Sequence, residues 1–130
     1  MIVVDASAVL EALLRTPKAA AVERRLFQVG ETWHAPHLID VEVAQVRRRY
    51  ALAGAISARR GVEALADFAD MPIRRHAHDW LLERAWELRD NLTAYDAVYV
   101  ALAEALPAPL ITCDGRIARA AGVRARVEAL

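Results

Sequence analysis

Lysine is nearly missing from this chain: of its seventeen basic residues sixteen are arginine and one, Lys18, is lysine. Chemistry that needs a lysine late in the chain therefore has no candidate. Cysteine is as scarce, with Cys113 alone, which excludes an internal disulfide and any CxxC redox pair and leaves a packed thiol. No apolar run approaches the roughly 20 residues that span a bilayer. The first residues also lack the basic region and long apolar stretch of a secretory leader, so the expectation is a cytoplasmic protein with no membrane partner. Net charge is absent too, because seventeen acidic residues balance the basic ones. Whole-molecule attraction to nucleic acid is then weak, and local patches must do any steering. With five glycines and five prolines, the chain is neither disordered nor rich in linkers.

What is there is apolar surface, 56% of 130 residues, enough for one core and too little for two. The expectation is a single domain, residues 1–130, with no internal repeat or low-complexity tract. Ile2–Val4 reads as a buried strand, and Ser7–Leu14 as a helix ending before Pro17. A second helix runs over Ala19–Val29, closed by Gly30, and a strand over Thr32–Ala35. A long amphipathic helix follows from His37 to Ala53, with Ile39, Val43, Val46 and Tyr50 at helical spacing. Ser57–Phe68 is helical, Ile73–Arg75 a strand, and Asp79–Asp90 helical. Ala94–Leu106 is a helix apolar almost all round, as one buried against a sheet would be. Leu110–Thr112 is a fourth strand, Ile117–Ala121 a short helix, and Val123–Val127 a fifth, edge strand. Strands alternating with helices imply an α/β fold, with a central, mostly parallel sheet of four or five strands flanked by helices.

In such a fold ligands bind beyond the carboxyl ends of the strands, where the strand order reverses. Asp5 follows the first strand and Asp114 the fourth, and these ends are neighbours if the chain starts at the sheet's centre. Asp96, in the first turn of the most apolar helix, and Glu42, beside a buried stripe, can reach the same place. Each acid has an ordinary reading. Asp5 and Asp114 suit helix caps, Thr93-x-x-Asp96 resembles a capping box, and Glu42 can pair with a nearby arginine. Taken together the ordinary readings weaken. Four converging carboxylates repel and take up protons unless a divalent cation joins them.

The ordered set IVVDASAV, DVEVAQVRRR, TAYDAVYVALAEAL and LITCDGRI resembles the PIN domain, specifically the small VapC-type ribonuclease toxins of prokaryotic toxin-antitoxin pairs. The resemblance spans nearly the full length, although Ala51–His78 carries no family motif. It implies that Asp5, Glu42, Asp96 and Asp114 hold Mg²⁺ or Mn²⁺ and hydrolyse RNA phosphodiester bonds, with Ser7 and Thr112 in support. Asp5 and Asp96 would be the first ion's ligands, Asp114 a ligand directly or through water, and Glu42 would activate water or hold a second ion. Arg116, just past Asp114, is the favoured phosphate contact, ahead of Arg47, Arg48 and Arg49, which face different sides of a helix. The implied partners are RNA, a VapB-like antitoxin and a second copy in a homodimer, without direct DNA binding.

Other functions fare worse. A haloacid-dehalogenase phosphatase resembles D-x-D with a later lysine, whereas Ser7 stands at the second position here. A receiver domain needs adjacent acids and a late lysine. His34 and His37, or His76 and His78, lack the partners of a zinc site. Trp33, Trp80 and Trp86 read as core or interface anchors rather than a base-stacking platform. The remaining rival is a PIN-like fold kept as a binding or scaffold module, against which all four acids stand.

Overall fold

The computed structural model describes residues Met1 to Leu130. Five strands, β1 (Ile2–Val4), β2 (Trp33–Pro36), β3 (Ile73–His76), β4 (Leu110–Thr112) and β5 (Val127–Ala129), form one sheet in the order β3-β2-β1-β4-β5. Every pairing is parallel. The expected architecture is therefore met with five strands and no antiparallel member. Around the sheet lie α1 (Ala6–Leu14), α2 (Ala19–Leu26), α3 (Leu38–Leu52), α4 (Ala58–Asp70), α5 (Leu82–Glu87), α6 (Ala94–Ala105) and α7 (Gly115–Arg119). No helix is long and apolar enough to cross a membrane.

The chain does start at the centre of the sheet. Ile2, Val3 and Val4 are all fully buried; since successive strand residues point to opposite faces, both faces above β1 are covered. Helix α6 lies across β1, β2 and β4, and its residues Ala97 to Ala103 are buried without a break. This is why that segment carries no polar stripe. The chain runs outward from β1 in one direction to β2 and β3, and then in the other to β4 and β5. The order reverses between β1 and β4, where Val4 sits beside Ile111. A crevice opens beyond the carboxyl ends of strands at such a point.

Several boundaries differ from the sequence reading; α2 stops at Leu26 rather than Val29, and the last helix is Gly115–Arg119 rather than Ile117–Ala121. The last strand is Val127–Ala129, not Val123–Val127, because its register is set by β4: Leu110 faces Val127 and Thr112 faces Ala129. Asp79–Asp90 is not one helix but a 3₁₀ turn at Asp79–Leu81 followed by the short α5. Helix α3 ends at Leu52 with Ala53 as its cap, within a residue of the expected end, and Gly54 turns the chain with a φ of 72°, a conformation that favours glycine. Its apolar stripe fades sooner, since Ile39 and Val43 are buried but Tyr50 is 37% exposed.

Candidate active site

Asp5 stands at the cap position of α1, yet its side chain makes no cap hydrogen bond. Its Oδ2 instead accepts from Ser7 Oγ and from Thr112 Oγ1, each at 2.7 Å. Both hydroxyls accept in turn from backbone amides, Ser7 from Cys113 and Thr112 from Asp114, each at 2.9 Å. Each hydroxyl therefore has its one proton committed to Asp5. Asp5 is only 6% exposed. Both bonds fall on Oδ2 and leave Oδ1 for the cleft that Asp5 lines. The cap reading fails, and Ser7 and Thr112 act together as a brace across the switch point.

Helix α6 begins with a true cap: Thr93 Oγ1 accepts from the Asp96 amide at 3.2 Å. That places Asp96 in the first turn, facing the end of β1. One turn on, the fully buried Tyr99 donates to Glu42 Oε2 at 2.5 Å, joining α6 to α3. Burial raises the Glu42 carboxyl above its ordinary range; the Tyr99 bond opposes this, and Asp5 and Asp96 add to it. Burial likewise raises Asp96, helped by Asp5 and Asp114 and opposed by Thr93 and Arg116. The Tyr99 phenol is driven far above its ordinary value by burial and the Glu42 charge, so it is always a donor. The charges of Asp5 and Asp96 thus act on Glu42, and those of Asp5 and Asp114 on Asp96.

Asp114 differs. It is a real cap, accepting from the Arg116 amide at 2.9 Å, and it also takes the Arg116 guanidinium, with Nη2 at 2.5 Å. The Arg116 bonds hold its carboxyl below the usual range. Arg116 is thus next to the site, as its position suggested, with its charge directed at Asp114.

One cleft of about 560 Å³ is lined by Asp5, Ser7, Glu42, Asp96 and Asp114, with an apolar wall from Leu10, Leu38, Val41 and Val46. Thr112 lies beneath, fully buried. As the side chains stand, no three acid, histidine or cysteine residues are close enough to share one ion. Asp114 bonds Arg116, and Glu42 bonds Tyr99 through Oε2. The donors fit a hard cation, being carboxylate and hydroxyl oxygens with no thiolate or imidazole, which suits Mg²⁺ or Mn²⁺ better than a softer metal. Acids that raise one another in a half-buried cleft are also relieved by added positive charge.

Some residues escaped the sequence reading. Tyr99 was hidden in an apolar helix, although a tyrosine three residues after an acid lies on the same helix face. Gln45 and Tyr95 also line the cleft; of the arginine run named above, Arg49 lines it too, whereas the Arg47 guanidinium bonds the Gly61 carbonyl. The histidines pair across strands, His34 Nδ1 with His76 Nε2 at 2.8 Å, not with their sequence neighbours. Trp33 is a core residue whose indole donates to the Leu26 carbonyl at 2.8 Å. Trp80 and Trp86 are not, being 55% and 68% exposed.

Residues 2–123 match the PIN domain family. The chain is 47% identical over 128 residues to Ribonuclease VapC12 of Mycobacterium tuberculosis, covering 98% of both. It is 46% identical over 117 residues to the VapC ribonuclease Mb0985 of Mycobacterium bovis, covering 90% of this chain and 88% of that one. Among solved structures, Mycobacterium tuberculosis VapC20, described as a sarcin-ricin loop cleaving toxin, superposes with a TM-score of 0.73 at 18% identity over 97% of this chain and 99% of its own. VapBC2 from Rickettsia felis, solved with a DNA fragment from its promoter, gives 0.69 at 15% identity over 99% and 98%. The two structural likenesses speak to the fold, and the sequence identities reach further. The chain belongs to the PIN-domain family and, within it, to the VapC ribonucleases.

Proposed function

We propose that this chain is a Mg²⁺-dependent endoribonuclease, able to use Mn²⁺, and the toxin of a VapBC-like pair. The observation that carries this reading is the cleft at the sheet's switch point: Asp5 is braced by two hydroxyls, and Glu42, Asp96 and Asp114 converge on it. Asp5, Asp96 and Asp114 would hold the cation, with Glu42 beside them. When bound, a divalent ion there supplies charge neutralisation at the scissile phosphate and acidifies an attacking water.

The chain's own residues do the rest. Ser7 and Thr112 fix the rotamer of Asp5, so one of its oxygens is aimed before substrate arrives. Glu42, with its proton affinity raised by burial and by Asp5 and Asp96, is suited to accept a proton from water. Arg116 and Arg49, at two sides of the cleft, supply guanidinium groups for RNA phosphates. The apolar wall from Leu10, Leu38, Val41 and Val46 offers a seat for a partner segment. A VapB-like antitoxin covering it would exclude RNA, and a homodimer in the cytoplasm completes the proposal.

The test is cleavage of total RNA by the purified chain. Products should appear with Mg²⁺, vanish with chelator and be lost in Asp5→Asn and Asp96→Asn. Unchanged cleavage in Asp5→Asn would sink the site. Light scattering of the free chain reads the dimer, and a short reading frame adjacent to its gene, whose co-expressed product binds the chain and blocks cleavage, would identify the antitoxin.

A further inference from the structure

Tyr99 sits in the helix stretch that is otherwise apolar from Ala97 to Ala103, and none of it is exposed. Packing there asks only for a ring, which phenylalanine would supply. A buried hydroxyl is costly unless it finds a partner, and this one finds it at the cleft. It donates to Glu42 Oε2 at 2.5 Å. A single phenol oxygen thus ties the helix that carries Asp96 one turn earlier to the helix of Glu42.

We infer that Tyr99 is a positioning residue of the nuclease centre: it pins Glu42 Oε2, so that Glu42 presents only Oε1 to a divalent cation or water. This rests on the nuclease reading above. Glutamate has three side-chain torsions, and without a partner its carboxylate samples many positions or engages with both oxygens. With Oε2 held, its distance from Asp5 and Asp96 is set by packed elements before any ion arrives. Partners that orient metal ligands in this way typically govern affinity by 10–100-fold.

The experiment compares the full chain with Tyr99→Phe, Glu42→Gln and the double variant, using Mn²⁺ titration calorimetry, metal-free melting and RNA cleavage against Mn²⁺ concentration. Tyr99→Phe should melt cooperatively, bind Mn²⁺ about 10–100-fold more weakly and shift half-maximal cleavage to correspondingly higher Mn²⁺. In the Glu42→Gln background the same change should alter Mn²⁺ affinity by less than about twofold, as expected when two residues act as one unit. Equal affinity in the wild type and Tyr99→Phe overturns the inference, as does an equal loss in the Glu42→Gln background. Should Tyr99→Phe not fold, Glu42→Asp decides: it draws the carboxylate back from an intact Tyr99 and should weaken Mn²⁺ binding to a similar degree, and wild-type affinity overturns the role. A wild-type chain that neither binds Mn²⁺ nor cleaves RNA overturns the nuclease reading and this role with it. One that does both, beside an indifferent Tyr99→Phe, overturns the role of Tyr99 alone.

Discussion

Carboxylates in this molecule live in two kinds of surroundings. Along the flanks they meet arginine: Arg25 lies between Glu31 at 3.2 Å and Glu128 at 2.5 Å, Arg84 bonds Glu104 at 2.7 Å, and Arg75 bonds Asp40 at 2.9 Å. Over the ends of β1 and β4 they meet hydroxyls: Asp5 takes Ser7 and Thr112, and Glu42 takes Tyr99. Burial is not the difference, since the Glu104 side chain is only 14% exposed. Burial raises the Glu104 carboxyl, but Arg84 and the Arg124 amide outweigh it and hold it low. Burial raises Glu42 and Asp96, and nothing reverses it. A chain with sixteen arginines brings one into an ion pair with the cleft's acids only at its rim, Arg116 on Asp114. Withholding counter-charge costs stability, a common exchange at functional sites.

The comparison can be broken most sharply at Asp5. Asp5→Asn should lower RNA cleavage by more than about 100-fold, beyond the range of residues that merely orient ligands, while the melting temperature holds or rises. Parallel loss of cleavage and stability would make Asp5 a structural acid like Glu104. Next, Mn²⁺ or Mg²⁺ at 100 times its dissociation constant should stabilise the wild type by about 2.7 kcal/mol and leave Asp5→Asn unmoved in a thermal melt. Glu104→Gln should show the converse, losing about 1.5–3 kcal/mol as bonds to a charged group are removed, with cleavage unaltered at 25 °C.

Acidity separates the regions by sign. Glu42 and Asp96 have folded values above their unfolded ones, so without metal they favour folding at pH below the unfolded carboxylate value, and this is lost as pH rises through the folded values. Glu104 is depressed, so its contribution stands above the unfolded value and is lost as pH falls through the folded one. In metal-free melts the advantage of Glu42→Gln over wild type should grow from pH 4 to 7, and the deficit of Glu104→Gln should shrink as pH falls. Trends of the same sign would end the distinction. The smallest effect is expected at Arg116→Ala, an exposed pair: melting unchanged, KM for RNA raised a few-fold and kcat retained. A fall in kcat alone would assign Arg116 to the chemistry instead.

Much of this was legible in the chain. Asp5, Asp114 and Thr112 could be placed because strand ends are marked by where apolar runs stop, and Asp96 because Thr93 announces a helix start. The fifth strand was misplaced because Val123, Ala125, Val127 and Ala129 continue one alternation, and period alone does not say where pairing with β4 begins. His34 and His76 meet only through the parallel register of β2 and β3, which no local spacing encodes. Tyr99 was overlooked because a buried tyrosine and a buried phenylalanine look alike in a hydropathy pattern. The hydroxyl matters only once Glu42, fifty-seven residues away, comes within reach.

The bond from Thr112 to Asp5 spans 107 residues, and this has a temporal consequence. The central strand is made early but gains its second neighbour only when β4 exists, so the sheet closes through contacts of high sequence separation, a topology that folds slowly. A growing chain that has reached Pro109 carries Asp5, Glu42 and Asp96 but neither the Thr112 half of the brace nor Asp114. With the site as proposed, a precursor that stops at Pro109 should not cleave RNA, and cleavage should arrive only once β4 is made.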